Sequence, residues 1–208
     1  MTPQLLTFDV FGTLIDWREG LRRDLDCHGI ALDQGRWESL LADQERVERL
    51  QFASYTDITT WSLIRRLGLP RAAATHIAEN LGRWPLFPDT QAALKRLMER
   101  VPCVAMTNSD RSHGRQAQDQ LGFPLTAWLC AEETRVYKPA PAFWTAVSDR
   151  LHVPFSKRWW HVSAYADYDL ATAASLGLTT VLVRRPHCRP GQADKEVSDL
   201  QELLTITS

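Results

Sequence analysis

A chain of 208 residues is long enough for one sizeable domain, or for a core that carries a smaller insertion. Its 24 lysines and arginines nearly balance its 25 aspartates and glutamates, so no overall field attracts nucleic acid or an acidic membrane. No apolar run approaches the ~20 residues of a membrane span. The N-terminal MTPQLLTFDV also lacks the basic and apolar regions of a signal peptide. We therefore expect no nucleic-acid partner and no membrane partner.

The four cysteines of the chain indicate the cellular compartment in which the protein is expected. Cys27, Cys103, Cys130 and Cys188 form no CxxC pair and no zinc-site spacing. Because disulfides are rare in the cytosol, four unpaired cysteines are typical of reduced thiols in a cytoplasmic protein. The sequence thus predicts a cytoplasmic location and no cysteine-bound metal.

The first third of the chain is predicted to be one strand followed by helices. Leu5 to Val10 is a short apolar run, typical of a buried strand. Residues 15 to 85 contain the amphipathic segments WREGLRRDLDCHGI, GRWESLLADQERVERLQ and DITTWSLIRRLGL. Asp57 is predicted to cap the last of these at its N-terminus, and Gly68 at its C-terminus. The proline-rich RWPLFPDT, residues 83 to 90, is a candidate domain boundary.

Helices and strands alternate through the rest of the chain. The predicted strands are VPCVAMTN, TAWLCAEE, RWWHVSA and TTVLVRR. The predicted helices are QAALKRLMER, RSHGRQAQDQLG, PAFWTAVSDRLHV, DLATAASLG and EVSDLQELLTI. This alternation indicates βαβ units and a parallel sheet, so the fold class is α/β. Because the first strand lies far upstream of the others, residues 15–85 are predicted to be a helical insertion into a core formed by 1–14 and 86–208.

Polar and charged side chains follow the predicted strands. Ligands of parallel α/β sheets bind beyond the carboxyl ends of the strands, so residues at these ends are expected to share one site. They are Asp9, Gly12 and Thr13 after the first strand, Thr107 and Asn108 after the second, Lys138 after the third, and Ser163, Asp167 and Asp169 after the fourth.

These residue types can perform covalent hydrolysis. A carboxylate such as Asp9 can form an ester or an acyl phosphate that water later cleaves. Lys138 nearby favours the ionised form of that carboxylate. Backbone amides after the first strand, together with Thr107, can receive an anionic group of the substrate.

Four segments at these strand ends resemble the motifs of one family. FDVFGTL, AMTNSD, VYKPAP and HVSAYADYDLATAASLG occur in the order and spacing of the haloacid dehalogenase superfamily, over residues 1–14 and about 86–185. The resemblance implies a Rossmann-like core with a helical cap inserted after the first strand. It also implies that Asp9 is the nucleophile, that Thr107 and Asn108 bind substrate, and that Lys138 holds the nucleophile.

Phe11 favours one subclass of the family. The superfamily's phosphatases carry a second aspartate two residues after the nucleophile, which protonates the leaving alkoxide, and they need magnesium. Phe11 occupies that position and cannot donate a proton. A halide leaves without a proton, and attack on a neutral carbon needs no metal. Phe11 therefore predicts dehalogenation with no metal and no organic cofactor, and the chain is most similar to the type II haloacid dehalogenases, which have an aromatic residue here.

The resemblance also suggests which cap residue contacts the leaving group. The type II enzymes use a cap arginine for the halide, and aligning ERLQFASYTD with their cap indicates Arg49, with Arg46 as a competitor. Two positions differ from their pattern: Tyr165 or Ala166 replaces an asparagine, and Trp144 replaces a tyrosine. Asp169 precedes the last motif helix and is predicted to orient Lys138 or the hydrolytic water.

The predicted reaction is hydrolytic dehalogenation of a small 2-haloacid through an aspartyl ester. The predicted catalytic residues are Asp9, Lys138 and Asp169, and the predicted substrate-binding residues are Phe11, Gly12, Thr13, Arg49, Thr107, Asn108 and Ser163. Trp17 and Trp61 are candidate walls of the cap pocket, and His161 is predicted to be a packed core residue. Two alternatives stay open, a magnesium-dependent phosphatase with Asp169 as a ligand and a catalytically silent binding protein. Because dimers are common among relatives, a homodimer is also an expectation.

Overall fold

A computed structural model of the protein describes residues 2–50 and 52–207. Its strands are β1 (Leu5–Phe8), β2 (Cys103–Thr107), β3 (Ala127–Cys130), β4 (Trp159–Ser163), β5 (Thr179–Val183) and β6 (Lys195–Val197). In the described residues these strands form one sheet in the order β3-β2-β1-β4-β5-β6, and every neighbouring pair is parallel. The predicted α/β class with a parallel sheet is confirmed, and β1 lies between β2 and β4.

The structure describes ten α-helices, five of them between β1 and β2 and the others between or after the later strands. They are α1 (Trp17–Asp26), α2 (Gln34–Leu50), α3 (Tyr55–Leu67), α4 (Arg71–Glu79), α5 (Thr90–Met98), α6 (Arg111–Leu121), α7 (Ala131–Thr134), α8 (Pro141–Leu151), α9 (Ala171–Ser175) and α10 (Leu200–Ile206). A 3₁₀ turn spans Leu81–Arg83, and a π-helical turn spans Ala166–Leu170. Within this part of the chain, no helix is long and apolar enough to cross a membrane.

Helices α1 to α4 lie between β1 and β2, where the sequence predicts the insertion. The segment that leaves the sheet after β1 and the segment that returns to it before α5 lie side by side. Asp16 donates its amide to the carbonyl of Pro85 at 2.8 Å. Phe87 likewise donates its amide to Leu14 at 3.0 Å. Both hydrogen bonds lie next to the predicted boundaries between the core, 1–14 and 86–208, and the insertion, 15–85. The boundaries themselves remain a prediction. We call residues 15–85 the cap from here on.

The apolar core lies on both faces of the sheet. Successive side chains of a strand point to opposite faces, and Leu6 and Phe8 of β1 join a buried cluster that continues into the cap through Leu21, Leu40 and Leu63. Leu5 joins a separate buried cluster on the other face with Val104, Met106 and Trp159. A parallel sheet covered on both faces is buried throughout, which fixes the position of the residues at its strand ends.

Helix α3 begins earlier than the sequence predicts. Its N-cap is Ser54, whose Oγ accepts the Asp57 amide at 3.0 Å and donates to the Asp57 carboxylate at 2.7 Å. The predicted Asp57 cap is therefore wrong, because a serine three residues earlier accepts the Asp57 amide and caps the helix. Gly68 ends the helix in the left-handed conformation, with φ of 71°, as predicted.

The C-terminal segment also differs from the prediction. Residues 195–197 form the edge strand β6, paired with β5, rather than the start of a helix. Helix α10 begins only after Asp199, whose side chain accepts the Glu202 amide at 2.8 Å. A three-residue strand is too short to show the alternating pattern of a strand in the sequence. The helical spacing of the leucines that follow it therefore predicts a helix that starts too early.

Candidate active site

Asp9 follows β1 directly and is almost fully buried. Its amide continues the sheet by donating to the carbonyl of Val162 at 3.0 Å. Thr13 Oγ1 donates to its Oδ2 at 2.6 Å, and Lys138 Nζ lies 2.9 Å from its Oδ1. Each carboxylate oxygen therefore has a donor from a different loop, and the side chain is held in one orientation.

Lys138 joins two carboxylates at the bottom of the site. Its Nζ lies 2.9 Å from Asp9 Oδ1 and 2.9 Å from Asp169 Oδ2, and its side chain is only 1% exposed. On the far side of Asp169, His161 Nε2 lies 3.2 Å from Oδ1. His161 is buried as predicted, but it also contacts the carboxylate behind the site. The sequence-predicted catalytic residues Asp9, Lys138 and Asp169 thus form one buried network.

Burial and charge act against each other in this network. Burial favours the neutral forms, but Lys138 and His161 outweigh it at Asp169 and hold the pKa of that carboxyl far below its usual range. Burial also opposes the charge on Lys138, but Asp169 and Asp9 outweigh it and raise the lysine pKa. At Asp9 burial prevails, so its pKa lies above its usual value in spite of Lys138. Asp169 and Lys138 are thus held charged, and Asp9 is the carboxylate with the greater proton affinity.

A cavity of about 1010 Å³ lies in front of Asp9, between the strand ends and the cap. Six residues of the predicted site line it: Asp9, Phe11, Arg49, Thr107, Asn108 and Lys138. Among the described residues, Gly12, Thr13, Ser163 and Asp169 are not part of its wall. The structure therefore divides the predicted site into residues that face the cavity and residues that support them from behind.

The supporting residues have identifiable contacts. Thr13 Oγ1 accepts the amide of Ala164 at 2.9 Å, so it links the first and last motif loops. Ser163 Oγ accepts the amide of Tyr165 at 3.1 Å within the last loop. Gly12 has φ of 95°, and a side-chain Cβ there would lie 1.9 Å from the Tyr165 hydroxyl. These contacts position the loops, and a direct contact of Gly12, Thr13 or Ser163 with substrate remains a prediction.

Asn108 lines the cavity but also holds Lys138. Its Oδ1 accepts the Lys138 amide at 2.7 Å, and its Nδ2 donates to the Lys138 carbonyl at 3.0 Å. Thr107 Oγ1 accepts the amide of Ser109 at 3.3 Å in the same strand-end turn. The predicted role of Asn108 in substrate binding therefore coexists with a second role, which is to fix the loop that carries the lysine.

Arg49, the predicted leaving-group residue, lies at the edge of the cavity. Its side chain is 82% exposed, and its Nη2 is 3.9 Å from Glu45 Oε2 on the same helix. Its competitor Arg46 is 59% exposed and points to Asp43, at 3.7 Å. Neither arginine is held towards Asp9 by a contact that the structure describes, so the role of Arg49 remains a prediction.

Arg18 is a cavity residue that sequence reasoning missed. Its guanidinium carbon lies 5.3 Å and 5.1 Å from the ring centroids of Trp17 and Trp37. Its Nε is buried and has no hydrogen-bond partner among the described residues, and burial lowers its pKa. The sequence places Arg18 only nine residues after Asp9, but nothing in α1 indicates that this arginine, rather than Arg22 or Arg23, faces the site.

Glu48 is a second missed residue. It lines the cavity and belongs to one stripe of α2 with Leu40 and Gln44. Burial and the neighbouring charge of Glu45 raise its pKa to about 7. The four-residue spacing of this stripe was the available signal, but the two preceding glutamates of α2, Glu38 and Glu45, have the same appearance in the sequence.

Aromatic side chains form much of the remaining wall. Tyr165 accepts a hydrogen bond from Trp17 Nε1 at 2.9 Å, so it connects the last motif loop to α1. The predicted wall residue Trp17 does line the cavity, but Trp61 is 39% exposed and lies elsewhere, so that prediction is wrong. Phe11 also lines it and meets Trp84 edge to face, with ring centroids 6.3 Å apart.

Several known proteins are similar to this chain in sequence or in fold. The chain is similar to (S)-2-haloacid dehalogenase 4A of Burkholderia cepacia, with 26% identity over 219 residues, covering 96% of this chain and 92% of that protein. It is similar to the crystal structure of L-2-haloacid dehalogenase PA0810, with a TM-score of 0.84, 26% identity, and coverage of 99% and 100% of the two chains. An L-2-haloacid dehalogenase from Xanthobacter autotrophicus has the same fold, with a TM-score of 0.84 at 16% identity over 99% and 98% of the chains.

A family model extends the comparison to most of the chain. The model of the haloacid dehalogenase-like hydrolases matches residues 3–177, a range that includes Asp9, Lys138 and Asp169. The resemblance seen in the sequence motifs, and the α/β core with a helical cap that it implies, are both confirmed. The protein therefore belongs to the haloacid dehalogenase-like hydrolase family.

Proposed function

We propose that the protein hydrolyses the carbon–halogen bond of small 2-haloacids through an aspartyl ester at Asp9, without a metal ion. The observation that carries this proposal is Phe11. It lines the cavity with Asp9, at the position where a phosphatase of this superfamily needs a proton donor. An aromatic ring beside the nucleophile suits an apolar carbon–halogen group and gives no proton to a leaving alkoxide.

In the first step, Asp9 attacks the carbon that bears the halogen. The new bond forms between a carboxylate oxygen and that carbon, and the halide leaves with the electron pair of the broken bond. Lys138, 2.9 Å from Asp9 Oδ1, favours the ionised nucleophile. The second donor, Thr13, holds the other oxygen, so the carboxylate meets the substrate in a fixed orientation.

Donors around the cavity support binding of the substrate's carboxylate. The amide of Phe11 and the side chains of Thr107 and Asn108 lie at the strand ends that enclose Asp9, whereas the Gly12 amide already donates to the carbonyl of Ile15 at 2.7 Å. The cap adds guanidinium groups for the negative charge of the substrate or of the departing halide. Arg18 supports this role better than Arg49, because its buried Nε has no hydrogen-bond partner in the described part of the chain, whereas Arg49 is largely exposed.

In the second step, water cleaves the ester and a 2-hydroxy acid leaves. Asp9 is regenerated as a carboxylate beside Lys138. We expect the cap, residues 15–85, to close over the core, because excluding bulk water strengthens the electrostatic interactions of the site.

The comparisons support the reaction type. The curated relative is an (S)-2-haloacid dehalogenase, and the structure from Xanthobacter autotrophicus is described with chloropropionic acid covalently bound. A covalent adduct in that protein is the kind of intermediate that the proposed mechanism requires at Asp9.

The decisive experiment compares two kinds of leaving group. The protein is incubated with chloroacetate, fluoroacetate, 2-chloropropionate and an aryl phosphate, each with magnesium and with a chelator, and free halide and phosphate are measured. We expect halide release that a chelator leaves unchanged. Phosphate release that requires magnesium would overturn the proposal in favour of a phosphatase, and no turnover of either class would indicate a silent binding protein.

Isotope labelling tests the ester itself. Turnover in ¹⁸O-water is expected to place the label in the side chain of Asp9, because water attacks the carboxyl carbon of the ester. Label found only in the 2-hydroxy acid after a single turnover would mean that water attacks the substrate directly.

The remaining expectations concern the setting of the enzyme. All four cysteines are free in the described residues, which supports a cytoplasmic location with reduced thiols. A homodimer, and the absence of a nucleic-acid partner, follow from the resemblance and the balanced charge. Light scattering after gel filtration tests the first, and a gel-shift titration with duplex DNA tests the second.

A further inference from the structure

We propose that Arg185 is a positioning residue for the nucleophile, and that it acts on Asp9 through Thr13. This inference rests on the proposed function, because Asp9 needs a fixed orientation only if it attacks the substrate. Arg185 lies two residues beyond the end of β5. The four motif segments of the sequence end before it, since the last of them closes at Gly177. The proposal therefore adds a residue from outside the motifs to the support of the site.

The contact between Arg185 and Thr13 is direct. Arg185 Nε donates to the carbonyl oxygen of Thr13 at 3.0 Å. The hydroxyl of the same threonine donates to Asp9 Oδ2 at 2.6 Å and accepts the amide of Ala164 at 2.9 Å. Thr13 is fully buried, so no water replaces these contacts from outside. Arg185 thus fixes the backbone of the residue whose hydroxyl orients the nucleophile.

The guanidinium of Arg185 is itself firmly held. Its Nη1 and Nη2 donate to the two carboxylate oxygens of Asp89 at 2.8 Å and 3.1 Å, and its side chain is only 6% exposed. Asp89 Oδ2 also accepts the amide of Leu200, the first residue of α10, at 2.7 Å. On another side, the guanidinium carbon lies 4.2 Å from the ring centroid of Phe87. A planar group with partners in three directions can hold the Thr13 carbonyl at one point.

Arg185 affects Asp9 by contact rather than by charge. Its bidentate pair with Asp89 compensates the positive charge within the core. The cation next to the nucleophile is Lys138, 2.9 Å from Asp9 Oδ1. Among the described residues, Arg185 is not part of the cavity wall, so it has no position from which to bind substrate. The two cations therefore have different tasks: Lys138 favours the ionised carboxylate, and Arg185 holds its orientation through Thr13.

The position of Thr13 in the chain explains why such support is needed. Thr13 and Leu14 lead directly into the cap, so a movement of the cap would displace the Thr13 hydroxyl unless the loop were held. Phe87 donates its amide to the Leu14 carbonyl at 3.0 Å, and Thr90 Oγ1 donates to the same carbonyl at 3.0 Å. The segments that leave and return to the core are thus joined beside Arg185. We expect the cap to move about this junction while Thr13 stays in place.

An Arg185→Lys variant tests the contact. A lysine keeps a positive charge near Asp89, but its compact ammonium cannot pair with both carboxylate oxygens and also donate to Thr13. We expect the single-turnover rate of halide release from saturating 2-chloropropionate to fall by about 10- to 100-fold, because a small misplacement of a reacting group has effects of this size. The substrate concentration at half-maximal rate should change by less than about 3-fold, since Arg185 does not touch the cavity.

The matched control is the neighbouring arginine. Arg184 is half exposed and pairs with Glu196 at 2.5 Å, away from Thr13. Arg184→Lys should release halide at the wild-type rate. If Arg185→Lys does not fold, Asp89→Asn replaces it in the test, because it loosens the guanidinium but leaves Nε beside Thr13. Asp89→Asn should slow halide release by about 3- to 10-fold.

A double-mutant comparison separates positioning from general stability. Thr13→Val removes the hydroxyl that Arg185 is proposed to position. In the Thr13→Val background, Arg185→Lys should therefore slow halide release by less than about 2-fold, whereas its effect on the thermal unfolding temperature should be the same in both backgrounds. A residue with a structural role alone would not show this difference between rate and stability.

The pH profile of the halide burst gives an independent readout. Burial raises the pKa of Asp9, and the hydrogen bond from Thr13 is one of the contacts that oppose this rise. Because ester formation needs ionised Asp9, the burst rate should rise with pH, and the midpoint should move to higher pH in Arg185→Lys and in Thr13→Val. The other groups that act on Asp9 are unchanged in both variants: Lys138, Asp169, Tyr55, Tyr165 and Tyr168.

Each contrary outcome has a distinct meaning. A folded Arg185→Lys protein with the burst rate and the pH midpoint of the wild type would overturn the assignment. Equal slowing by Arg185→Lys in the wild type and in Thr13→Val would also overturn it, because the effect would then not pass through the Thr13 hydroxyl. If the wild type itself releases no halide from any 2-haloacid, the proposed function fails, and that failure is distinguishable from a wrong role for Arg185.

Discussion

The two sides of the cavity differ in how their charges are compensated. On the core side, Asp9, Lys138 and Asp169 form a buried chain of ion pairs at 2.9 Å. On the cap side, Arg18 has a buried Nε without a partner, and Glu48 has no ion pair, among the residues that the structure describes. The buried charges on the core side of the cavity are therefore paired with one another, whereas the Arg18 guanidinium on the cap side has no carboxylate partner among the described residues.

This difference suggests a division of labour. A buried polar group without a partner costs roughly 1–3 kcal/mol, so such groups are expected where a ligand or a reaction uses them. The core network is organised before substrate arrives, which is what an attacking carboxylate needs. On the cap side, we expect the Arg18 guanidinium to find its partner in a negative charge that enters the cavity.

The largest expected effect comes from removing the nucleophile. An Asp9→Asn variant keeps the size of the side chain but cannot form the ester, so halide release should fall by about 10⁴-fold or more. Circular dichroism and thermal unfolding check that the fold is retained. Substantial halide release by a folded Asp9→Asn protein would mean that the core side does not perform the chemistry.

The second change breaks the compensation of the core. Lys138→Met leaves Asp9 and Asp169 buried without their shared cation, and the free energy of unfolding should fall by about 3–5 kcal/mol. Urea denaturation measures this loss. Arg22→Met is the matched control, because Arg22 belongs to an exposed pair with Glu19 and its loss should change stability by less than about 1 kcal/mol.

The same network has a pH signature. Lys138 and His161 hold the pKa of Asp169 below that of an unfolded aspartate, so the stabilisation is present above about pH 4 and is lost as the pH falls. Acid unfolding of Lys138→Met should therefore start from a lower stability and show a shallower decline. An equal acid-induced loss in both proteins would contradict this account of the network.

These predictions depend on parts of the molecule that the sequence could and could not indicate. Asp9, Thr107 and Lys138 were predicted together because each follows a strand or a motif whose position is set locally, and a parallel sheet brings strand ends to one edge. The sheet itself was predicted from the alternation of elements, apart from the three-residue β6. The cap residues that face Asp9 across the cavity, such as Arg18 and Glu48, were not predicted, because their positions depend on how whole helices of the cap are oriented.

Helix α2 illustrates that limit. Its sequence contains Glu45, Glu48, Arg46 and Arg49 within five positions, and their local patterns are equivalent. Only the position of α2 in the fold distinguishes Glu48, whose pKa burial raises to about 7, from Glu45, which is half exposed. The same holds for Arg18, whose burial between Trp17 and Trp37 requires α1 and α2 to meet.

The third substitution tests Arg18 on the cap side. Arg18→Met keeps much of the side-chain volume against Trp17 and Trp37 but removes the charge. A hydrogen bond to a charged group contributes roughly 1.5–3 kcal/mol, so KM for a 2-haloacid should rise by about 10- to 100-fold if Arg18 binds the substrate's carboxylate. If it receives the departing halide instead, kcat should fall and KM should change little. An unchanged KM and kcat would show that the cap guanidinium has no part in the reaction.

The smallest effect is expected from Arg49, although the sequence alignment favours it as the leaving-group residue. Its side chain is 82% exposed and its contact with Glu45 is 3.9 Å long, and exposed pairs of this kind contribute about 0–1 kcal/mol. Arg49→Met should therefore change kcat and KM by less than about 3-fold. If Arg49→Met instead reduces turnover more than Arg18→Met does, the alignment identifies the leaving-group residue correctly. Closure of the cap must then carry the end of α2 further into the cavity, because only a reoriented helix brings so exposed a guanidinium to the carbon that Asp9 attacks.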